Sequence, residues 1–146
     1  MKKQTRADIF IKLFHYWCGQ LALDENIPFY KDNRYDCHAG VIDYNTKNPK
    51  VIYNSKKLAH WDISFIYCSV FHEIAHLIYN LPYTTEENQI KAELNAEKYA
   101  LKMLAKYYPK MYKKNNKLMR ERIQSSYWRR KNKLYYRAFS KIKEYK

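Results

Sequence analysis

The chain has 146 residues, 47% of them apolar and 17% aromatic, with 28 Lys plus Arg against 14 Asp plus Glu. That is enough for one domain with a core of its own, while two glycines and four prolines exclude collagen-like and linker-like chains. Three widely spaced cysteines, Cys18, Cys37 and Cys68, form no CxxC pair, which argues against a disulfide framework or a cysteine zinc site and fits a reducing cytosol.

Phe10, Leu13, Phe14, Trp17 and Leu21 recur at helical spacing and predict an amphipathic helix over residues 5–23, with Thr5 as its N-cap. Three short β-prone runs follow, 27–30, 40–44 and 50–54, the last two joined by a hairpin loop at 45–49. From the N-cap candidate Asp62 to Asn80 the chain reads as a mostly buried helix stopped by Pro82. Thr84 and Glu87 have the form of a capping box, opening a helix that runs to about Tyr107. A further helical segment follows Pro109, carrying Met119, Ile123, Tyr127, Leu134, Ala138, Ile142 and Tyr145 as a stripe among Lys and Arg. The order predicts a small α+β domain with a short antiparallel sheet.

No run approaches the 18 or so apolar residues of a membrane span; the best, 65–71, contains Ser69 and stops at His72. Lys2, Lys3 and Arg6 precede an apolar stretch as in a signal peptide, but Lys12 and His15 interrupt it and no small-residue cleavage site follows. The expectation is a soluble, unprocessed, cytoplasmic protein without a membrane partner.

His72-Glu73-Ile74-Ala75-His76 is an HExxH motif in the middle of a helix predicted from periodicity alone. Four residues at about 100° each bring His72 and His76 to within about 40° of one another, one turn apart, as two ligands of a single ion must be. Glu73 lies a further 100° or so round, placed to take a proton from an attacking water and hand it to a leaving amine. Zinc needs a third protein ligand and an open fourth position. No histidine follows His76, so the supply is carboxylate: Glu93 and Glu97 share a face of the next helix, where one can bind metal and the other can orient a ligating histidine. Their bland alternative is a solvated face pairing with Lys91, Lys98 and Lys102. Cys68, one turn before His72, reads as a buried inert thiol and His15 as structural, while His38 and His60, which flank the hairpin, could line the cleft but as lone histidines read as structural or exposed.

HEIAH followed by Glu93-Leu94-Asn95-Ala96-Glu97-Lys98-Tyr99-Ala100 resembles the gluzincin metallopeptidases, and particularly the ImmA/IrrE family, whose members follow HExxH with an E-x-E-A-[DN]-x-F-A stretch. The resemblance covers about 40 residues. It implies a zincin-like domain in which His72, His76 and Glu93 hold Zn2+, Glu73 is the catalytic base, and Glu97 stands behind a ligand where the family has Asp or Asn. Asn95 departs from the family's Glu, and Glu97 is longer than the residue it replaces. The resemblance also implies a protein substrate bound antiparallel to an edge strand, supplied here by 51–54 or 41–44. An oxyanion stabiliser is required, and among sixteen tyrosines the sequence singles out none.

The charge is unevenly placed. Residues 1–105 hold 13 basic and 12 acidic side chains, and residues 106–146 hold 15 and 2, so net charges of +1 and +13 make up the total of +14. The division predicts a metallopeptidase body at 1–108 and a basic, aromatic-rich extension at 109–146. In the extension Arg129, Arg130, Lys131, Lys133 and Arg137 can neutralise phosphates, with aromatics interleaved, so nucleic acid or an acidic protein is the expected partner. The leading expectation is thus a zinc-dependent endopeptidase. The alternative is a nucleic-acid-binding or adaptor protein with a silent metallopeptidase-like body.

Overall fold

The computed structural model describes residues 3–44, 46–82 and 84–124. Helix α1 spans Arg6–Gln20. Thr5 and Asp8 start it by bonding reciprocally, Thr5 Oγ1 accepting from the Asp8 N–H at 3.1 Å and Asp8 Oδ2 from the Thr5 N–H at 3.2 Å. Its buried stripe is Ala7, Phe10, Phe14, Trp17 and Cys18, leaving Leu13 and Leu21 half-buried beside it. The helix closes with Leu23 N–H on the Cys18 carbonyl and Ala22 N–H on the Gly19 carbonyl, which puts Ala22 at φ 57°, a conformation that glycine adopts more readily.

Strands β1 (Phe29–Lys31), β2 (Ala39–Ile42) and β3 (Lys50–Tyr53) form one sheet in the order β1-β3-β2. The β2–β3 hairpin is antiparallel, as expected, with Val41 opposite Val51. The wholly antiparallel sheet is not found: β1 runs parallel to β3, pairing Phe29 with Val51. This makes β3 the central strand, so the run at 51–54 cannot serve as a free edge and only β2, of the two candidates, can. A side chain at Gly40 on β2 would displace the Tyr35 hydroxyl, which lies where a Cβ would go.

After β3 comes a short helix the sequence reading did not foresee, α2 (Ser55–Ala59). Buried Asn54 caps it, accepting from the Lys56 and Lys57 N–H groups while donating to the carbonyls of Asn33 and Tyr35, which ties down the loop leading into β2.

Helix α3 spans Ile63–Tyr79, capped by Asp62 as expected. It ends at Asn80, whose left-handed backbone (φ 52°, ψ 39°) sends its N–H to the His76 carbonyl, so the stop precedes Pro82. Helix α4 spans Glu86–Tyr107. Its cap is Thr85, accepting from the Asn88 N–H, one residue beyond the cap expected at Thr84. Ala92, Ala96 and Ala100 are buried at four-residue intervals, and such a small stripe lets α4 approach α3 closely.

Helix α5 spans Pro109–Gln124 and packs on α3 and α4. Fully buried Asn115 donates to Cys68 Sγ at 3.2 Å, and Lys114 Nζ meets Asp62 Oδ2 at 2.8 Å. The expected boundary between body and extension falls at the α4–α5 junction, and the first half of α5 lies against the body. Among the described residues no helix is long and apolar enough to cross a membrane. The mixed fold of five helices and one small sheet, counted among the described residues, agrees with the expected α+β class.

Burial alone would raise the Asp62 carboxyl pKa, but bonds to Lys114 and Ser64 outweigh it and bring it down to about 2. A depressed carboxyl contributes stability above its unfolded pKa near 3.8 that disappears as pH falls through 2. Asp62→Asn keeps a capping side chain and removes the ion pair, so it should cost under about 1 kcal/mol at neutral pH and flatten the acid dependence of stability between about pH 4 and pH 2. Urea unfolding followed by circular dichroism across that range checks this; an unchanged pH slope would show that the pair is energetically silent.

Candidate metal centre

The centre lies where the middle of α3 meets α4 and the edge of β2. His72 and His76 project from α3 with ring centroids 5.0 Å apart. His72, Glu73 and His76 bring one ligand atom each to within 4.8 Å of one another. Across from them, Glu93 on α4 addresses both histidines through the same ring nitrogen: Oε2 is 3.0 Å from His72 Nε2 and Oε1 is 3.6 Å from His76 Nε2. Glu97, one turn later and 2% exposed, instead reaches behind His72, with Oε1 at 2.5 Å from Nδ1.

These two contacts divide the glutamates by role. A carboxylate on Nδ1 holds a proton there, so a metal ion would have to be met at Nε2, in place of the proton that Glu93 stabilises. A carboxylate between two Nε2 atoms stands where a ligand stands. The contacts are made by different oxygens, Oε2 to His72 at 3.0 Å and Oε1 to His76 at 3.6 Å. Glu93 could thus join His72 and His76 in holding an ion, while the ligand atoms that lie mutually within 4.8 Å are those of His72, Glu73 and His76.

Glu73 is buried, and its Oε1 accepts from the Val41 N–H of β2 at 3.3 Å. Burial pushes its pKa up to about 7, with Glu93 and Glu97 adding to the rise against the opposing effects of His72 and the Val41 bond. For His72, burial would lower the pKa, but the charges of Glu93 and Glu97 overcome it and hold the ring well above the ordinary imidazole value. His76 goes the other way, to about 4, through burial and the neighbouring His72 charge.

Two further side chains lie near the histidines, Tyr44, to which the sequence reading gave no role of its own, and His38, which it named as a residue that could line the cleft. The Tyr44 ring, beyond β2, stacks on His76 at 5.5 Å and 26°, and its hydroxyl donates to the Leu81 carbonyl at 2.6 Å. His38 lies flat on Trp61, 3.9 Å between ring centres, with Nε2 at 2.5 Å from Ser69 Oγ, one turn before His72. No spacing rule counted from HExxH reaches either residue, because both are carried in from the sheet. Cys68 is turned toward Asn115, and burial raises its thiol pKa well above the usual value, which keeps it unreactive. The expected phosphate contacts Arg129, Arg130, Lys131, Lys133 and Arg137 lie outside the described residues.

Comparison of the chain with protein-family models, with curated proteins and with solved structures finds no match. The functional reading therefore stands on the geometry of the centre and on the motif that places it.

Proposed function

We propose that this chain is a zinc-dependent endopeptidase of the HExxH-plus-glutamate type, zincin-like in its body and similar to the ImmA/IrrE family in its motifs. The carrying observation is the division of labour on α4: Glu93 faces both Nε2 atoms while Glu97 holds Nδ1 of His72. His72, His76 and Glu93 would hold Zn2+, whose contribution when bound is to polarise the scissile carbonyl and to make a water acidic enough to attack it.

The chain's own groups supply the rest. Glu73 takes the proton that the attacking water gives up and delivers it to the nitrogen of the leaving amine as the C–N bond breaks. The Val41 N–H steadies one of its oxygens and leaves the other for that proton. Strand β2 is an edge beside this carboxylate, so an extended protein substrate adding to it would lie along the centre. A small body has little surface for deep specificity pockets, which favours recognition of one protein substrate by recruitment.

The test is zinc content by elemental mass spectrometry on the full-length protein, with cleavage of an unstructured protein substrate before and after chelation. One zinc per chain is expected, with cleavage abolished by the chelator and restored by zinc. A protein that takes up no metal from added zinc would sink the proposal and promote the adaptor reading, favoured by the +13 concentrated in residues 106–146.

A further inference from the structure

On the side of α3 away from the metal centre, an open groove of about 550 Å³ runs between α1 and α3. Ile63 and Tyr67, which line it, are nine and five residues before His72 and so lie about 140–180° round the helix from it. The opposite wall is a second stripe of α1, Ile9, Lys12, Leu13 and Tyr16, at spacings of three, four and seven, distinct from the buried stripe. Ile9 and Leu13 are only partly buried, and Tyr16 is 55% exposed.

The charge of the groove has one sign. Arg6 and Lys12 line it, and no carboxylate does among the described residues. Exposed Asp8, which caps α1 by accepting from the Thr5 N–H, is not among the lining residues, and Asp62, beside Ile63, is paired with Lys114. That second pair also brings the start of α5 to the end of the groove, where the Tyr108 ring packs edge-on against Tyr67 at 4.9 Å. Exposed Lys110 and Lys113 belong to the same stretch of α5, the beginning of the segment that carries +13.

We propose that this groove binds single-stranded nucleic acid, with phosphates on Lys12, Arg6 and the lysines of α5 and a base stacked on Tyr16. An exposed aromatic face between cations, over an apolar floor, matches bases and phosphates together. A duplex offers phosphates but keeps its bases stacked, and an acidic polypeptide offers charge without flat rings. The inference is independent of the zinc reading, since the two sites face opposite sides of α3.

The test is fluorescence anisotropy of a labelled oligo-dT against the full-length protein over a salt series, with a duplex of equal length and polyglutamate as competitors. Tyr16→Ala should weaken oligo-dT binding by about 5- to 150-fold, and Lys12→Glu should also shrink the salt slope by about 0.7. Both residues are exposed, so the variants should keep the native circular dichroism spectrum. Lys31→Glu, an equal charge change on β1, should have a much smaller effect. Native affinity and slope in both groove variants would overturn the proposal, as would absence of oligo-dT binding, a preference for duplex, or equal displacement by polyglutamate.

Discussion

Glu73→Gln is expected to leave zinc in place and to slow peptide cleavage by about 100- to 10,000-fold, the range that removal of a general base produces. Glutamine has nearly the same shape and still offers an oxygen to the Val41 N–H that holds Glu73 at 3.3 Å, but it cannot carry the proton from water to amine. The folded protein should be no less stable, because the native carboxyl is buried enough for its pKa to rise to about 7, and the neutral amide avoids that penalty. Zinc per chain, single-turnover cleavage and urea unfolding on the same preparation separate the possibilities. Undiminished cleavage would remove Glu73 from the base role. Loss of zinc would make Glu73 a ligand, a real alternative since its carboxylate is grouped with both histidines within 4.8 Å. An adaptor would keep its biological effect in this variant.

The helices were legible because long elements repeat one signal many times. α1 and α3 carry their caps, Thr5 and Asp62, immediately before an apolar stripe, and both caps act as the sequence suggests. The errors fall on short elements and adjacent look-alikes. Thr84 and Thr85 stand side by side, and the one that caps α4 is the one whose third successor, Asn88, has its N–H within reach. α2 has five residues, too few for periodicity, and is set by the Asn54 cap. β1 has three, and no local feature of Phe29-Tyr30-Lys31 tells whether it joins β3 parallel or antiparallel. That choice is tertiary, made where Phe29 packs against Phe10 and Phe14 of α1, with rings 6.3 and 5.3 Å away.

The centre itself was legible as far as one helix can determine it. His72, Glu73 and His76 are fixed relative to each other by helical geometry, and Glu93 and Glu97 by the same rule on α4. What a single helix cannot state is how two of them cross. Here the buried alanines 92, 96 and 100 set the close approach of α4 to α3, so that Glu93 lands between the Nε2 atoms and Glu97 behind His72. The sequence offered His38 only as a residue that could line the cleft, and Tyr44 no role of its own, because the sheet carries them in from 31 and 32 residues before Ser69 and His76.

The two glutamates give the second large effect. Glu93→Ala should abolish stoichiometric zinc, because it deletes one of three donors and leaves two imidazoles, a set too small for a closed-body zinc site. Glu97→Ala should weaken zinc binding by about 10- to 100-fold, the usual cost of losing the group behind a ligating histidine, since Nδ1 of His72 then loses the acceptor 2.5 Å away that fixes its tautomer. Elemental analysis of proteins purified without added metal would show the first variant empty and the second partly loaded, and a competing chelator would give the ratio of affinities. Zinc lost in Glu97→Ala and retained in Glu93→Ala would reverse the assignment: the carboxylate now against Nδ1 would have to swing inward when the ion arrives, and the 3.0 and 3.6 Å contacts of Glu93 would then describe an ion pair with His72 and not a ligand. The asymmetry has a cause in the chain, since both side chains are equally long and only their heights on α4 differ. Glu93 reaches the Nε2 atoms of His72 and His76, whereas Glu97, one turn on, reaches Nδ1 of His72, so under the proposal Glu93 would be the ligand and Glu97 the group behind it.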